Sequence, residues 1–331
     1  MRTGAVVVNW NTPSLTIRSV ESLLADGLKP QQVVIVDNCS TDDSCVQFTR
    51  QLPKVRVIRS ECNAGYARAS NVGAATFEDT ETLIFVNSDA AVFRHDSISA
   101  LQAAVNQPGV GITVPRLLNE DLTLQPSVVP FRTPTATFLE VTTLGRFLPN
   151  DSQPRWGMYW DHRRSGTIRS ATGAVMAVRR EAWTALGGFY EGAHMFAEDH
   201  DLCWRASDLG WKTWFTNEAE FVHTGGASTR TAFGAAERSL DVARAEGALI
   251  RRQLDPTQAA LTLRLLKFGS GVRWGLSAIR GDQSLAAEHA ASFHGFSACT
   301  QDYQPPRSTC TERRLLSARS PSTSGAPRHS G

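Results

Sequence analysis

The stretch LIFVNSDAAV, residues 83–92, indicates the fold class because an apolar run ends abruptly on polar and acidic residues. The run 83–86 is apolar at every position, which is typical of a strand that is buried in a core. Asn87, Ser88 and Asp89 follow at once, so a carboxylate stands at the carboxyl end of this strand. The stretch therefore predicts a buried sheet with a polar site along one edge.

Similar apolar runs alternate with segments of helical pattern from residue 4 to about residue 115, as in βαβ units on a mostly parallel sheet. The predicted strands are 5–9, 33–36, 55–58, 83–86 and 111–114. The polar residues at the ends of the first four are Asn9, Asp37, Arg59 and Asn87. Ligands of open α/β sheets lie across the carboxyl ends of strands, so these residues predict a Rossmann-like α/β domain with a nucleotide-sized crevice.

The composition is that of a soluble enzyme and gives no sign of a nucleic-acid partner. The chain has 331 residues, 41% of them hydrophobic and 20% charged, and its formal net charge is +2. Six cysteines show no CxxC pair, and no apolar stretch approaches the roughly 20 residues of a membrane span. We therefore expect a cytoplasmic protein, with peripheral contact at the cytoplasmic face of the membrane as a second reading.

The sequence predicts loops in the middle of the chain and helices in its carboxyl-terminal part. Residues 116–170 are predicted to be loops and a flap over the crevice, with a short helix near 135–144. Residues 231–298 are predicted to be helices. Segment 261–281 mixes large apolar residues with four basic ones, which suits either contact with anionic lipid or packing onto the main domain. Packing is favoured because Gly269 and Gly271 interrupt the pattern. Residues 299–331, rich in Pro, Ser and Arg, are predicted to be disordered.

Two aspartates that follow predicted strands are candidates for ligand binding. Asp37 can accept a hydrogen bond from a nucleobase or from a ribose hydroxyl, although aspartate is also a common turn residue. Asp89 offers hard oxygen ligands for Mg²⁺ or Mn²⁺, which proteins hold with one or two carboxylates and substrate phosphates. Its alternative role is that of a turn or helix-capping residue.

Acidic and imidazole side chains later in the chain complete the set of candidates. The stretch FAEDHDLCWR, 196–205, places Glu198, Asp199 and Asp201 at a helix start, where acids complement the helix dipole. The same environment keeps a carboxylate ionised, as a general base requires. His223 follows a short predicted strand; a lone histidine is usually structural, but with Asp89 it makes a mixed site that Mn²⁺ accepts.

Seven blocks together resemble family 2 glycosyltransferases of the GT-A fold, and among them bacterial rhamnosyltransferases. The resemblance covers about residues 3–230. The blocks are VVVNWNTPSLTIRSVESLL, VVIVDNCSTDDS, ECNAGYARASNVGA, LIFVNSDAAV, TGAVMAVRREAW, GGFYEGAHMFAEDHDLCWR and FVHTGGAST.

The resemblance implies a role for each matching residue. Asp37 would bind the nucleotide base, with Thr12 nearby, and Asp89 would be the last aspartate of the DxD-like motif that holds Mn²⁺ or Mg²⁺. His223 would join that metal site, and Asp199 would be the catalytic base. The residues that would line the nucleotide and diphosphate region are Asn63, Gly65, Arg68, Asn71 and Asn87. Because Asn87 and Ser88 are not acidic, the motif has a single carboxylate here.

The resemblance also implies an activity and a division of the chain. Residues 1–230 would form the catalytic domain, 231–298 a helical region and 299–331 a disordered tail. The expected activity is inverting transfer of a sugar, rhamnose from dTDP-rhamnose, to a hydroxyl of a cell-envelope, polysaccharide or lipid-linked acceptor. Two alternatives are a nucleotidyltransferase, although NWNTPSLT at 9–16 is not a Gly-rich phosphate loop, and a non-catalytic protein that binds nucleotide sugars.

Overall fold

The centre of the protein is a mostly parallel β-sheet. The computed structural model describes residues 2–150, 160–192, 196–225 and 234–298. The strands are β1 (Thr3–Asn9), β2 (Val33–Asp37), β3 (Arg56–Arg59), β4 (Thr82–Asn87), β5 (Ala90–Val92), β6 (Val110–Leu118), β7 (Leu124–Gln125), β8 (Val128–Val129), β9 (Gly166–Ile168), β10 (Ser170–Ala171), β11 (Val175–Arg179) and β12 (Lys212–His223). The main sheet has the order β3-β2-β1-β4-β11-β6-β12-β5, with β7 beside β6 and β9 beside β12.

Strand direction brings the polar strand ends to one edge of this sheet. Strands β1 to β4 are parallel, and β6 is parallel to β12. Strand β11 lies between β4 and β6 and is antiparallel to both, while β5 is antiparallel to β12. The carboxyl ends of β1, β2, β4 and β12 therefore lie at the same edge as the beginnings of β11 and β5.

Helices cover both faces of the sheet. They are α1 (Pro13–Ala25), α2 (Ser44–Gln51), α3 (Tyr66–Ala74), α4 (Ser97–Val105), α5 (Pro134–Val141), α6 (Arg180–Leu186), α7 (Glu198–Asp208), α8 (Ala235–Gln253), α9 (Pro256–Ile279) and α10 (Gln283–Ser297). Along β4, Leu83 and Phe85 join one core with α3, α6 and α7, while Ile84 and Val86 join the other with α1, α2 and α4. The continuous apolar run is explained because both faces of the strand are buried.

A glycine lets α3 approach the sheet closely. A Cβ atom at Gly73 would lie 2.4 Å from Val6 Cγ1 and 3.0 Å from Val36 Cγ2. No side chain fits in that space, so glycine is required for α3 to pack against β1 and β2. This packing positions the residues at the start of α3, which face the polar edge.

The predicted fold class and the predicted strands of the first half are confirmed, and the later segments differ in part. The region 116–170 contains the predicted short helix as α5, but the rest of it is not loops alone, since it also holds the end of β6 and strands β7 to β10. The strand that ends at His223 has 12 residues rather than being short. Strand β5 was not expected, since three residues give no periodic signal.

The carboxyl-terminal helices pack on one another around a small core of their own, formed by Ala243, Ile250, Ala259, Leu263, Leu266 and Phe296. Helix α9 is continuous through Gly269 and Gly271, so the expectation that these glycines interrupt it is wrong. An added Cβ at Gly269 would lie 2.8 Å from Val141 Cγ2, and one at Gly271 would contact the Phe293 ring. These glycines therefore allow α5 and α10 to approach α9.

None of the helices in the described ranges is long and apolar enough to cross a membrane. The division of the chain into a catalytic domain at 1–230 and a helical region at 231–298 stays a prediction. The segment 299–331, predicted to be disordered, lies outside the described residues.

Candidate active site

A cleft of about 610 Å³ opens at the polar edge of the sheet. Five of the ten residues to which the resemblance assigns a role line this cleft, and they are Asn63, Asn87, Asp89, Asp199 and His223. They come from four separate segments, since Asn87 and Asp89 both lie where β4 ends, and the strand order brings these segments to one place. The other five candidates, Thr12, Asp37, Gly65, Arg68 and Asn71, do not line it.

Asp89 and His223 face each other because β5 pairs with the end of β12. His223 is opposite Ala90 in this pairing, and the Thr224 N–H donates to the Asp89 carbonyl at 3.0 Å. Asp89 Oδ1 lies 3.3 Å from His223 Nε2, and both side chains are less than a tenth exposed. A carboxylate and an imidazole are thus held together in the wall of the cleft.

Gln125 determines which nitrogen of His223 faces Asp89. The Gln125 amide donates from Nε2 to the His223 carbonyl at 3.1 Å and to Asn119 Oδ1 at 2.9 Å. Its Oε1 is therefore the acceptor that lies 2.7 Å from His223 Nδ1, so Nδ1 carries the proton. Nε2 of His223 is therefore the nitrogen that faces Asp89.

This arrangement fits a cation. His223 Nε2 is buried and makes no hydrogen bond to any residue that the structure describes. This nitrogen lies 3.3 Å from Asp89 Oδ1, so a carboxylate oxygen and an imidazole nitrogen, both ligands that Mn²⁺ accepts, are side by side. No cluster of three or more His, Cys, Asp or Glu side chains suited to a metal occurs in the described ranges. Asp89 and His223 are therefore suited to a divalent ion that takes further ligands from water and a substrate diphosphate.

Asp199 enters the cleft from the start of α7. The chain turns sharply before this helix, since Phe196 and Ala197 adopt φ of 71° and 66°. Asp199 Oδ2 accepts the Gly173 N–H at 2.6 Å, and Oδ1 accepts the His200 N–H at 2.7 Å. A Cβ at residue 173 would lie 2.7 Å from Asp199 Cβ, so glycine is needed there. Backbone contacts thus orient this carboxylate at the beginning of β11.

Glu198 has a different environment from its neighbour. Burial of its carboxyl group, and next the negative charge of Asp199, together raise the pKa of Glu198 to about 8. Its Oε2 is buried and has no hydrogen-bond partner in the described part of the chain. Because Glu198 is largely protonated at neutral pH, it adds little negative charge beside Asp199.

Asp201, the third acid of the stretch, is structural. Its side chain is 3% exposed and pairs with Arg205 at 2.7 Å and with Arg252 of α8. Arg205 also donates to the carbonyl groups of Leu186 and Gly188. Asp201 therefore ties α7 to the preceding segment and to α8, while Asp199 points into the cleft.

Asp37 lies beneath the cleft surface. It is fully buried, and its Oδ1 accepts hydrogen bonds from Asn9 Nδ2 at 2.8 Å and from Ser40 Oγ at 2.5 Å. Thr12 immediately precedes Pro13, the first residue of α1; its hydroxyl contacts Ser88 Oγ at 3.2 Å and makes no capping hydrogen bond to the helix. These contacts join the loops after β1, β2 and β4, and base binding by Asp37 stays a prediction.

The four candidates of the third block separate into two groups. Asn63 lines the cleft and accepts from Asn38 Nδ2 at 2.9 Å, and Gly65 begins α3 with a φ of +86°. Asn71 instead donates to the Phe189 carbonyl at 2.9 Å, and Arg68 lies 3.9 Å from Glu191. Arg68 and Asn71 thus hold the segment before α7, and their predicted contact with the nucleotide stays untested.

Tyr66, Gln125 and Arg238 are among the cleft residues that were not identified from the sequence. Burial, and then the charge of Glu198, raise the pKa of the Tyr66 hydroxyl, which keeps it a hydrogen-bond donor. Arg238 belongs to α8 and lines the cleft from outside the sheet. Neither Gln125 nor Arg238 lies in a recognisable motif, so only the three-dimensional structure reveals them.

Comparison with known proteins identifies the family. The sequence model described as "Glycosyltransferase like family 2" matches residues 2–246, which is most of the chain. The chain belongs to this family. It is a family 2 glycosyltransferase, as the seven sequence blocks predicted.

Two relatives of this glycosyltransferase are named for rhamnosyl transfer and for O-antigen biosynthesis. It is 28% identical over 237 residues to the N-acetylglucosaminyl-diphospho-decaprenol L-rhamnosyltransferase of Mycobacterium tuberculosis, covering 68% of this chain and 76% of the relative. It is 27% identical over 234 residues to an O-antigen biosynthesis protein of Myxococcus xanthus, covering 69% of this chain and 18% of that protein.

A solved structure supports the GT-A fold. A mannosyltransferase from Pyrobaculum calidifontis, in complex with GDP-Man and Mn²⁺, matches with a TM-score of 0.54 and 15% identity. The match covers 90% of this chain and 87% of that one. The predicted GT-A class of this glycosyltransferase is thereby confirmed.

We predict that the substitution Gln125→Met weakens Mn²⁺ binding about 10-fold to 100-fold, because His223 loses the acceptor that orients its ring. Titration calorimetry with Mn²⁺ at saturating nucleoside diphosphate measures this effect. Gln125→Glu keeps an oxygen beside Nδ1 and should lose less affinity. Equal Mn²⁺ affinity in the Met variant and the wild type would show that Gln125 does not orient the site.

We predict that Glu198→Gln stabilises the enzyme more at pH 8.5 than at pH 5. The folded state retains a proton on Glu198 that the unfolded state releases between about pH 4.5 and 8, so wild-type stability falls as the pH rises through this range. The gain in the free energy of unfolding should be on the order of a few kcal/mol at the higher pH. Urea unfolding at both pH values checks it.

Asp208→Asn, which removes an exposed carboxylate at the other end of α7, is the matched control for this comparison. A gain for Glu198→Gln that is the same at both pH values would contradict the raised pKa.

Proposed function

We propose that this chain is an inverting glycosyltransferase that moves rhamnose from dTDP-rhamnose to a hydroxyl group of a cell-envelope or polysaccharide acceptor. The observation that carries the proposal is that a single cleft holds both a pair suited to a cation, Asp89 with His223, and a separate oriented carboxylate, Asp199. The first suits a diphosphate leaving group, and the second suits an acceptor hydroxyl.

The donor would bind across the carboxyl ends of the strands. Asn63 and Asn87 line this part of the cleft and offer amide groups to the nucleotide and the sugar. Asp89 and His223 would hold Mn²⁺ or Mg²⁺, which when bound neutralises charge that develops on the leaving diphosphate. The mannosyltransferase with the related fold contains Mn²⁺, which supports a divalent ion here.

Asp199 would act as the general base. Its carboxylate removes the proton of the acceptor hydroxyl, and that oxygen forms the new bond to the anomeric carbon. The bond between the anomeric carbon and the diphosphate oxygen breaks on the opposite face, and its electron pair leaves with the nucleoside diphosphate. Attack opposite the leaving group inverts the anomeric configuration.

The proposed identities of the donor sugar and of the acceptor are supported by the relatives of this chain. The Mycobacterium tuberculosis relative is named as an L-rhamnosyltransferase that acts on a diphospho-decaprenol-linked sugar, which supports rhamnose as the donor sugar and a lipid-linked acceptor. Gln125, Pro126 and Arg238 line the cleft from the segments beyond the first half of the sheet. We assign the acceptor to that side, because the strand ends of the first half are polar and suit the nucleotide.

We predict that Asp199→Asn lowers the rate of sugar transfer about 10²-fold to 10⁴-fold, since the amide cannot accept the hydroxyl proton. Donor binding should stay close to that of the wild type, because the base does not hold the nucleotide. A transfer assay and a thermal shift with donor and Mn²⁺ measure the two effects separately.

Asp208→Asn, at the exposed end of the same helix, is the control and should retain full activity. The same assays on dTDP-rhamnose, UDP-galactose, UDP-glucose and UDP-N-acetylglucosamine identify the donor, and dTDP-rhamnose should give the largest shift. Transfer by Asp199→Asn at the wild-type rate would refute the base assignment, and a larger shift with another donor would refute rhamnose.

A further inference from the structure

Helix α9 is apolar on two different faces, and residues in the described ranges cover only one of them. Leu263, Leu266 and Gly269 are buried against the neighbouring helices. The second face consists of Leu261, Phe268, Val272, Leu276 and Ile279, which we call the apolar stripe; Phe268 is 65% exposed and Ile279 is 85% exposed. Steps of seven, four, four and three residues place all five on one side of the helix.

The charge around this stripe has one sign. Residues 256–281 contain four basic side chains, Arg264, Lys267, Arg273 and Arg280, and no acidic one. Arg264 and Arg280 are exposed. The whole chain carries a formal net charge of only +2, so this helix is a local concentration of positive charge.

A neighbouring turn has the same character. Helix α5 packs against α9 where Val141 meets Gly269, and the 3₁₀ turn Leu144–Phe147 follows it. Phe147 in this turn is 77% exposed, with the Arg146 guanidinium 5.8 Å from the centre of its ring. Exposed apolar and basic side chains thus occur on two elements that are linked by α5.

We propose that the apolar stripe docks the enzyme onto an anionic lipid bilayer, with α9 lying in the plane of the surface. Large apolar side chains flanked by arginine and lysine are the features of an interfacial helix: the apolar face enters the acyl boundary and the cations meet lipid phosphates. Four basic residues exclude α9 as a span, in agreement with the absence of a spanning helix in the described ranges. This proposal depends on the proposed function in one respect only, namely that the acceptor is linked to a lipid.

The test is binding of the full chain to vesicles. We expect the wild type to cosediment with phosphatidylcholine vesicles that contain about one third phosphatidylglycerol, and to bind pure phosphatidylcholine much less. The double substitution Phe268→Ser and Ile279→Ser should weaken binding at least about tenfold. Val46→Ser is the matched control, because Val46 is an exposed apolar residue of α2, 69% exposed, and this variant should bind as the wild type does.

Charge gives a second arm. Arg264→Gln and Arg280→Gln should each weaken binding about fivefold, whereas Arg50→Gln and Arg56→Gln, which remove exposed charges elsewhere, should not. Raising the salt concentration from about 0.1 M to about 1 M shortens the Debye length from about 10 Å to about 3 Å and should also weaken binding.

Three results would overturn the proposal. The first is that the wild type does not bind the anionic vesicles, and the second is that the stripe variant binds them as well as the wild type does. The third is that the wild type is a dimer by light scattering while the stripe variant is a monomer, which would assign the stripe to contact between copies. Nucleotide-sugar binding in solution, by thermal shift, should be equal in all variants. A loss of vesicle binding with donor binding intact therefore tests docking alone, and an absence of donor binding tests the proposed function.

Discussion

The antiparallel pairing of β5 with the end of β12 is the interaction on which the site depends. It places His223 opposite Ala90, and so brings the His223 imidazole within 3.3 Å of the Asp89 carboxylate. Gln125 accepts a hydrogen bond from Nδ1 of His223, so Nε2 is the nitrogen that faces Asp89. We propose that a divalent cation binds between these two side chains. Since they offer few protein ligands, a substrate diphosphate would complete the coordination, and binding of the ion would then depend on binding of the donor.

The antiparallel direction of β11 determines where Asp199 is anchored. Because β11 starts at the edge where β4 ends, the Gly173 N–H is available there to anchor Asp199. Helix α7 is held in turn by Asp201, which pairs with Arg205 and with Arg252 of α8. Loss of one partner of such a buried ion pair commonly costs about 3–5 kcal/mol, so the carboxyl-terminal helices also help to hold the helix that carries Asp199. The same group of carboxyl-terminal helices carries the apolar stripe, through which we propose that the enzyme contacts a lipid bilayer.

The sequence predicts most of the first half of the fold, and five of the ten residues to which the resemblance assigns a role line the cleft. Continuous apolar runs identify β1, β2 and β4 because these strands are buried on both faces, and the polar residues after them mark the edge. Asn63, Asn87, Asp89, Asp199 and His223 indeed line one cleft. Gln125 is not predictable, because its role comes from pairing between distant segments. Arg68 and Asn71 line no part of it, since a motif does not tell which face of α3 meets the segment before α7. The glycines of α9 resemble helix breakers until their packing partners are known.

The most direct test of the account is a crystal structure with Mn²⁺ and a nucleoside diphosphate, with the metal located by anomalous scattering. We expect one strong anomalous peak within coordination distance of both the Asp89 carboxylate and His223 Nε2, with diphosphate oxygens as further ligands. A bound nucleotide whose Mn²⁺ lies away from His223, or a His223 ring turned to direct its N–H at Asp89, would contradict it.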